Sequence, residues 1–139
     1  MAQGRPDANT ARHRSNTYER GVEAEDMAAR HLEARGYRVM ARRARFQGGE
    51  IDLVARSGNL IAFVEVKRRR SLSEGAHAVT ARQQKRIVTA ALGWLGANPG
   101  HDTCDLRFDV IVLAPDRKSG HMQIEHFEHA FTADGYEAG

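Results

Sequence analysis

Residues 50–67 read EIDLVARSGNLIAFVEVK, and their pattern decides the fold. Two apolar runs, 50–56 and 59–67, meet at Ser57-Gly58-Asn59. Gly-Asn between such runs is a tight-turn signal, so the stretch is predicted to form a β-hairpin. With Gly58 and Asn59 as the central turn residues, Asp52 faces Glu65 and Glu50 faces Lys67. Side chains alternate along a strand, so these four are expected on one face, with Ile51, Leu53, Val64 and Val66 on the other. A three-residue turn would shift the partners but would still leave Glu65 and Lys67 together.

On the N-terminal side, residues 17–35 are predicted to be a helix. Asn16 and Glu19 have capping-box spacing, and Gly36 is a natural stop. Its apolar stripe is Val22, Ala28, Ala29 and Leu32. Residues 37–44 read as a strand, and Gln47-Gly48-Gly49 as a flexible bend. On the C-terminal side, 68–79 is a basic loop. Thr80 then caps a second helix, with Gln83 at the capping-box position, running to about Ala97. Residues 106–113 read as a buried strand, followed by a last strand near 122–127 and a short end around 129–131. The order α-β-β-β-α-β-β, a meander followed by a helical crossover, predicts a mixed sheet between helices: a three-layer α/β domain. Residues 1–16 hold almost no large apolar side chain and are expected to be a disordered basic tail, with the domain at 17–133 and a short disordered end at 134–139.

Composition limits the alternatives. A chain of 139 residues, 41% hydrophobic and 28% charged, fits one globular domain. One cysteine, Cys104, excludes an internal disulfide and a Cys-based metal site. No apolar run approaches the roughly 20 residues of a membrane span, and no signal-peptide pattern is present. A cytoplasmic protein is therefore expected. The net charge of +3 and the pI of about 9.4 favour a polyanionic partner only weakly.

Three acids and a lysine inside an apolar hairpin call for an explanation. Opposed carboxylates repel unless a cation or proton intervenes, and a hard divalent ion such as Mg²⁺ suits oxygen ligands. Such an ion can assist phosphodiester hydrolysis, with Lys67 orienting the water or offsetting transition-state charge. The competing reading is a set of edge-strand charges with a Glu50–Lys67 ion pair. Two helical residues weigh against that. Glu25 lies on the inward stripe with Val22, Ala29 and Leu32, and Gln84 lies on the stripe of Ile87, Val88, Ala91 and Leu95. Arg42, Arg43 and Arg45, Arg68, Arg69 and Arg70, and Arg82, Lys85 and Arg86 surround the acids, as phosphate clamps would. Seven histidines invite a zinc reading, but His121, His126 and His129, near the chain end, read as surface residues rather than a zinc site.

Glu25, Asp52, Glu65-Val66-Lys67 and Gln84, in this order, resemble the extended pattern of the PD-(D/E)XK nuclease superfamily. The run 21–67 resembles archaeal Holliday-junction resolvases. GVEAE (21–25), GGEIDLV (48–54), FVEVK (63–67), residues 79–84 and residues 108–110 resemble more closely the bacterial YraN family of endonuclease-like proteins, over about residues 18–131. Ile51 stands where the superfamily has proline, as in the YraN pattern. The resemblance implies a restriction-endonuclease-like fold in which Asp52 and Glu65 bind Mg²⁺ or Mn²⁺ and Lys67 assists the water. Glu25 would bind metal directly or through water, Gln84 would support the site, and Glu50 would be a further ligand or a partner for Lys67. The expected activity is endonucleolytic cleavage of DNA, branched or processed, by a homodimer. A binding module with little turnover and an RNA-processing nuclease are the alternatives.

Overall fold

The computed structural model describes residues 8–77 and 79–133, the side chains of 8–20, 76 and 77 excepted. The elements are α1 (Ala8–Ala34), β1 (Arg38–Phe46), β2 (Gly49–Ser57), β3 (Leu60–Arg68), a 3₁₀ segment (Leu72–His77), α2 (Ala81–Ala97), β4 (Asp105–Pro115) and β5 (Met122–Phe131). The strands form one sheet in the order β1-β2-β3-β4-β5, parallel between β3 and β4 and antiparallel elsewhere. α2 is the crossover that the parallel pair requires.

The two helices cover opposite faces. Ala24, Ala28, Ala29 and Leu32 of α1 pack on Leu53, Ala55, Ala62, Val64, Ile111 and Leu113. Ile87, Val88, Ala91 and Trp94 of α2 pack on Val54, Ile61, Phe63, Val110 and Val112. Phe63 is fully buried between Trp94 and Phe108, with ring centroids at 6.1 and 5.6 Å. The three-layer mixed α/β fold expected from the sequence is therefore the one observed.

Local chemistry sets the boundaries. The Thr80 hydroxyl accepts the Gln83 N–H at 3.2 Å while Gln83 Oε1 accepts the Thr80 N–H at 3.0 Å, the capping box its sequence announces. Gly58 has φ +58°, as the first central position of a type II′ turn needs. Gly49 is required for a different reason: a Cβ there would lie 2.3 Å from the Arg86 carbonyl oxygen, so β2 starts against the backbone of α2.

Three expectations need correction. α1 begins at Ala8 rather than Thr17, because residues 8–16 hold no glycine or proline to stop it. The expected tail is thus helical over 8–16, while 1–7 and 134–139 lie outside the described residues. The two segments 122–127 and 129–131 form one strand, β5. Finally, Gln47-Gly48 is a tight two-residue turn closed by the Phe46–Gly49 pair, with φ +51° and +81°.

Candidate active site

The β2–β3 ladder runs from Ser57–Leu60 to Leu53–Val64, the register the turn predicts, and then stops. Beyond it β2 follows β1 and β3 follows β4, so the two strands part at Asp52 and Glu65. The Asp52 carboxylate fills the split, accepting the Val66 N–H through Oδ2 at 2.8 Å. Glu65 faces Asp52, and Lys67 Nζ lies 3.1 Å from Glu65 Oε1. Burial and the facing Glu65 push the Asp52 carboxyl up to about 7, with Glu25 adding to the effect and Val66 N–H and Lys67 opposing it. Burial likewise raises Glu65, against the pull of Lys67 and Asp52.

Strict alternation does not survive the split. Leu53, Val64 and Val66 lie on the α1 face, but Ile51 packs with the α2 cluster rather than with them. The break sits at Asp52, whose neighbour across β1 is Arg43, with φ +51°. Glu50, expected to face Lys67, instead pairs with Arg45 at 2.8 Å.

That pair belongs to a series. Arg42 holds Asp26 at 2.6 Å, and Arg43 Nε holds Glu25 at 3.0 and 3.2 Å. Glu25, Glu65 and Lys67 are only 14%, 15% and 16% exposed, so these are partly desolvated groups. As the side chains stand, no three His, Cys, Asp or Glu residues among those described converge to enclose a metal ion. The Asp52–Glu65 pair nevertheless fits a hard cation. Two partly buried, mutually repelling carboxylates gain from one, and Mg²⁺ commonly takes one or two protein carboxylates plus waters and phosphate. Glu25 joins them only by leaving Arg43.

Gln84 lies on the α2 side of the sheet. Its Nε2 donates to the Val79 carbonyl at 3.3 Å, and the side chain lines a cavity against Val110 and Phe127. Arg68, Arg69 and Arg70 line an open depression with Glu74 and Pro115. Arg82, Lys85 and Arg86 are exposed on the first turns of α2.

A second polar cluster on the α1 face was missed in the sequence. Asp109, fully buried, receives Arg107 at 2.8 and 2.7 Å, His126 Nε2 at 2.8 Å and the His129 N–H at 3.0 Å. Arg107 also donates to Tyr37 Oη at 2.6 Å. Burial pushes the Asp109 carboxyl up, but the bonds from His126, Arg107 and His129 outweigh it and hold it below the usual range. His126 is therefore not the surface residue expected, its side chain being 4% exposed. The one signal available was Asp109 itself, a charge at an inward position of an otherwise apolar strand. Among the described residues, no helix is long and apolar enough to cross a membrane.

The profile of the family described as Uncharacterised protein family UPF0102 matches residues 24–113, a span containing Glu25, Asp52, Glu65, Lys67, Gln84 and Asp109. A UPF0102 protein of Bradyrhizobium diazoefficiens is 55% identical over 102 residues, 73% of this chain and 77% of that protein. UPF0102 proteins of Nitrobacter winogradskyi and Rhodopseudomonas palustris are 54% and 52% identical over 102 and 105 residues, covering 73% and 76% of this chain and 86% and 82% of theirs.

Proposed function

The chain belongs to the UPF0102 family, which is the YraN family of the motif resemblance, and we propose that it is a divalent-metal-dependent nuclease of the PD-(D/E)XK type acting on DNA in the cytoplasm. The observation that carries this is the split hairpin. It holds two partly buried carboxylates facing each other, one with its pKa pushed up to about 7, beside a partly buried lysine.

Asp52 and Glu65 would hold the ion, which supplies polarisation of a phosphoryl oxygen and acidification of a water. The Val66 N–H fixes the Asp52 carboxylate at the mouth of the split. Lys67, on the same strand face as Glu65, offsets the extra negative charge of a pentavalent phosphorus. The exposed Arg68, Arg70, Arg82, Lys85 and Arg86 supply sequence-independent affinity for the phosphate backbone. A four-way junction needs two coordinated cuts, so on that substrate the active form would be a homodimer.

A second reading, a binding module with little turnover, draws on the Arg43–Glu25 pair, which occupies an expected ligand. Cleavage of linear, single-stranded, flapped and four-way-junction DNA with Mg²⁺ or Mn²⁺ separates the two. The nuclease reading expects cleavage that Asp52→Ala and Lys67→Ala each abolish. Salt-sensitive binding with no cleavage of any substrate favours the binding module, and cleavage persisting in both variants refutes the site.

A further inference from the structure

Beside the acid pair lies a cavity that hydrolysis does not use. It measures about 450 Å³, within the range of small-molecule sites, and is lined by Val79, Gln84, Val110, Phe127, Glu128 and Phe131 among others. Strand pairing fixes where it sits. Glu65 pairs with Val110 of β4, and Val110 pairs with Phe127 of β5. Val110 and Phe127 both pack in the α2-face cluster, and Glu65 projects to that face because Val64 and Val66 project to the other. Glu65, Val110 and Phe127 therefore form one row across three strands, spanning about 10 Å at ~4.8 Å per strand spacing. The cavity opens one strand away from the acids.

Its lining selects the kind of ligand. None of the described lining residues is Lys or Arg, so a phosphate finds no cation there. Phe127 and Phe131 offer aromatic surface, Val79 and Val110 offer aliphatic walls, and the Gln84 amide adds a polar edge. A planar heterocycle satisfies all of these. Phosphate is drawn instead to the basic side beyond Lys67, where Arg68, Arg69 and Arg70 lie.

We propose that this cavity receives one unpaired nucleobase of the strand whose backbone is held at Asp52 and Glu65. The proposal rests on the nuclease reading for the position of the backbone, and it names the substrate class: DNA with an unpaired nucleotide beside the cleaved bond. A flap, bulge, junction or single strand presents such a base directly. A continuous duplex must first unstack one, a cost the unpaired base does not incur.

Binding of the full chain to a flapped duplex and to a continuous duplex, with Ca²⁺ replacing Mg²⁺, tests this without hydrolysis. Base–aromatic stacking predicts that Phe127→Ala weakens flapped-duplex binding by about 5- to 150-fold and leaves continuous-duplex binding within about twofold. Phe127 also packs in the core, so Ala130→Trp, at an exposed lining residue outside the core clusters, must give the same selective loss. A 2-aminopurine placed in turn at each flap nucleotide should be quenched at one position and released by Ala130→Trp. Equal losses on both duplexes, or no loss in either variant, overturn the proposal. Selective loss in a protein that never cleaves with Mg²⁺ supports the cavity and refutes the nuclease reading. Cleavage without selective loss does the reverse.

Discussion

The Asp52 carboxylate accepts the Val66 N–H at 2.8 Å and so takes the place of a strand partner at the point where β2 leaves β3. One hydrogen bond thereby ends a ladder, satisfies a backbone donor and holds an acid beside Glu65.

The metal-free protein should lose stability as pH rises towards neutrality because of Asp52. Its ordinary value is 3.8 and the fold raises it to about 7. The folded state thus keeps a proton that the unfolded chain releases, and stability falls across pH 4 to 7 and is flat above. Asp52→Asn is expected to stabilise the metal-free protein at pH 8 by about 2–4 kcal/mol and to remove that dependence. Urea unfolding at pH 5 and pH 8 measures both effects. A variant less stable than the parent at pH 8 would contradict the assignment.

On the proposed reading, Arg43 and a metal ion would compete for Glu25. Arg43→Gln should raise Mn²⁺ affinity in the absence of DNA by about 2- to 10-fold, because it frees a third carboxylate, while weakening DNA binding. Arg43→Gly should behave alike and relieve the φ +51° backbone as well. Calorimetric titration reads the affinity. An unchanged or lower value in both variants would show that Glu25 plays no part in metal binding.

The Asp109 cluster should prove structural. Asp109→Ala removes the fully buried carboxylate shared by Arg107, His126 and the His129 N–H, a loss of about 3–5 kcal/mol. Because the fold lowers the Asp109 pKa, its contribution is present above about pH 4 and is lost as pH falls through the depressed value. Thermal unfolding against pH should show acid lability that is absent from the variant. Metal affinity should be unchanged if the variant folds.

Gly49→Ala should cost about 1–3 kcal/mol, since its Cβ would meet the Arg86 carbonyl oxygen at 2.3 Å and that backbone must move. Gly96→Ala, exposed on α2 with nothing within 4 Å of its Cβ, is the control and should be near neutral or stabilising. Comparable losses in the two would remove the close-approach explanation.

The hairpin, the capping box at Thr80 and the three layers were legible because each is written in local chemistry: a Gly-Asn turn, a Thr-x-x-Gln spacing, a change of apolar period. Asp52, Glu65, Lys67 and Glu25 were legible as neighbours for the same reason. The break in alternation was not, because it depends on Arg43 adopting φ +51° opposite Asp52, a choice that only the assembled sheet enforces. Glu50 turning to Arg45 and His126 turning to Asp109 were hidden likewise, as both are settled by strand pairing and bulges. The helical start at Ala8 escaped detection because residues 8–16 carry no apolar stripe to mark it.

The central claim is that Asp52 and Glu65 together hold a divalent ion. The most direct measurement is Mn²⁺ binding to the DNA-free protein, followed at pH 8 through the electron paramagnetic resonance signal of the free ion. The parent should bind, and its affinity should drop about tenfold per pH unit below 7 as Asp52 takes up its proton. Asp52→Asn and Glu65→Gln, folded by circular dichroism, should each lose at least tenfold in affinity. Equal Mn²⁺ binding by all three proteins would contradict the account.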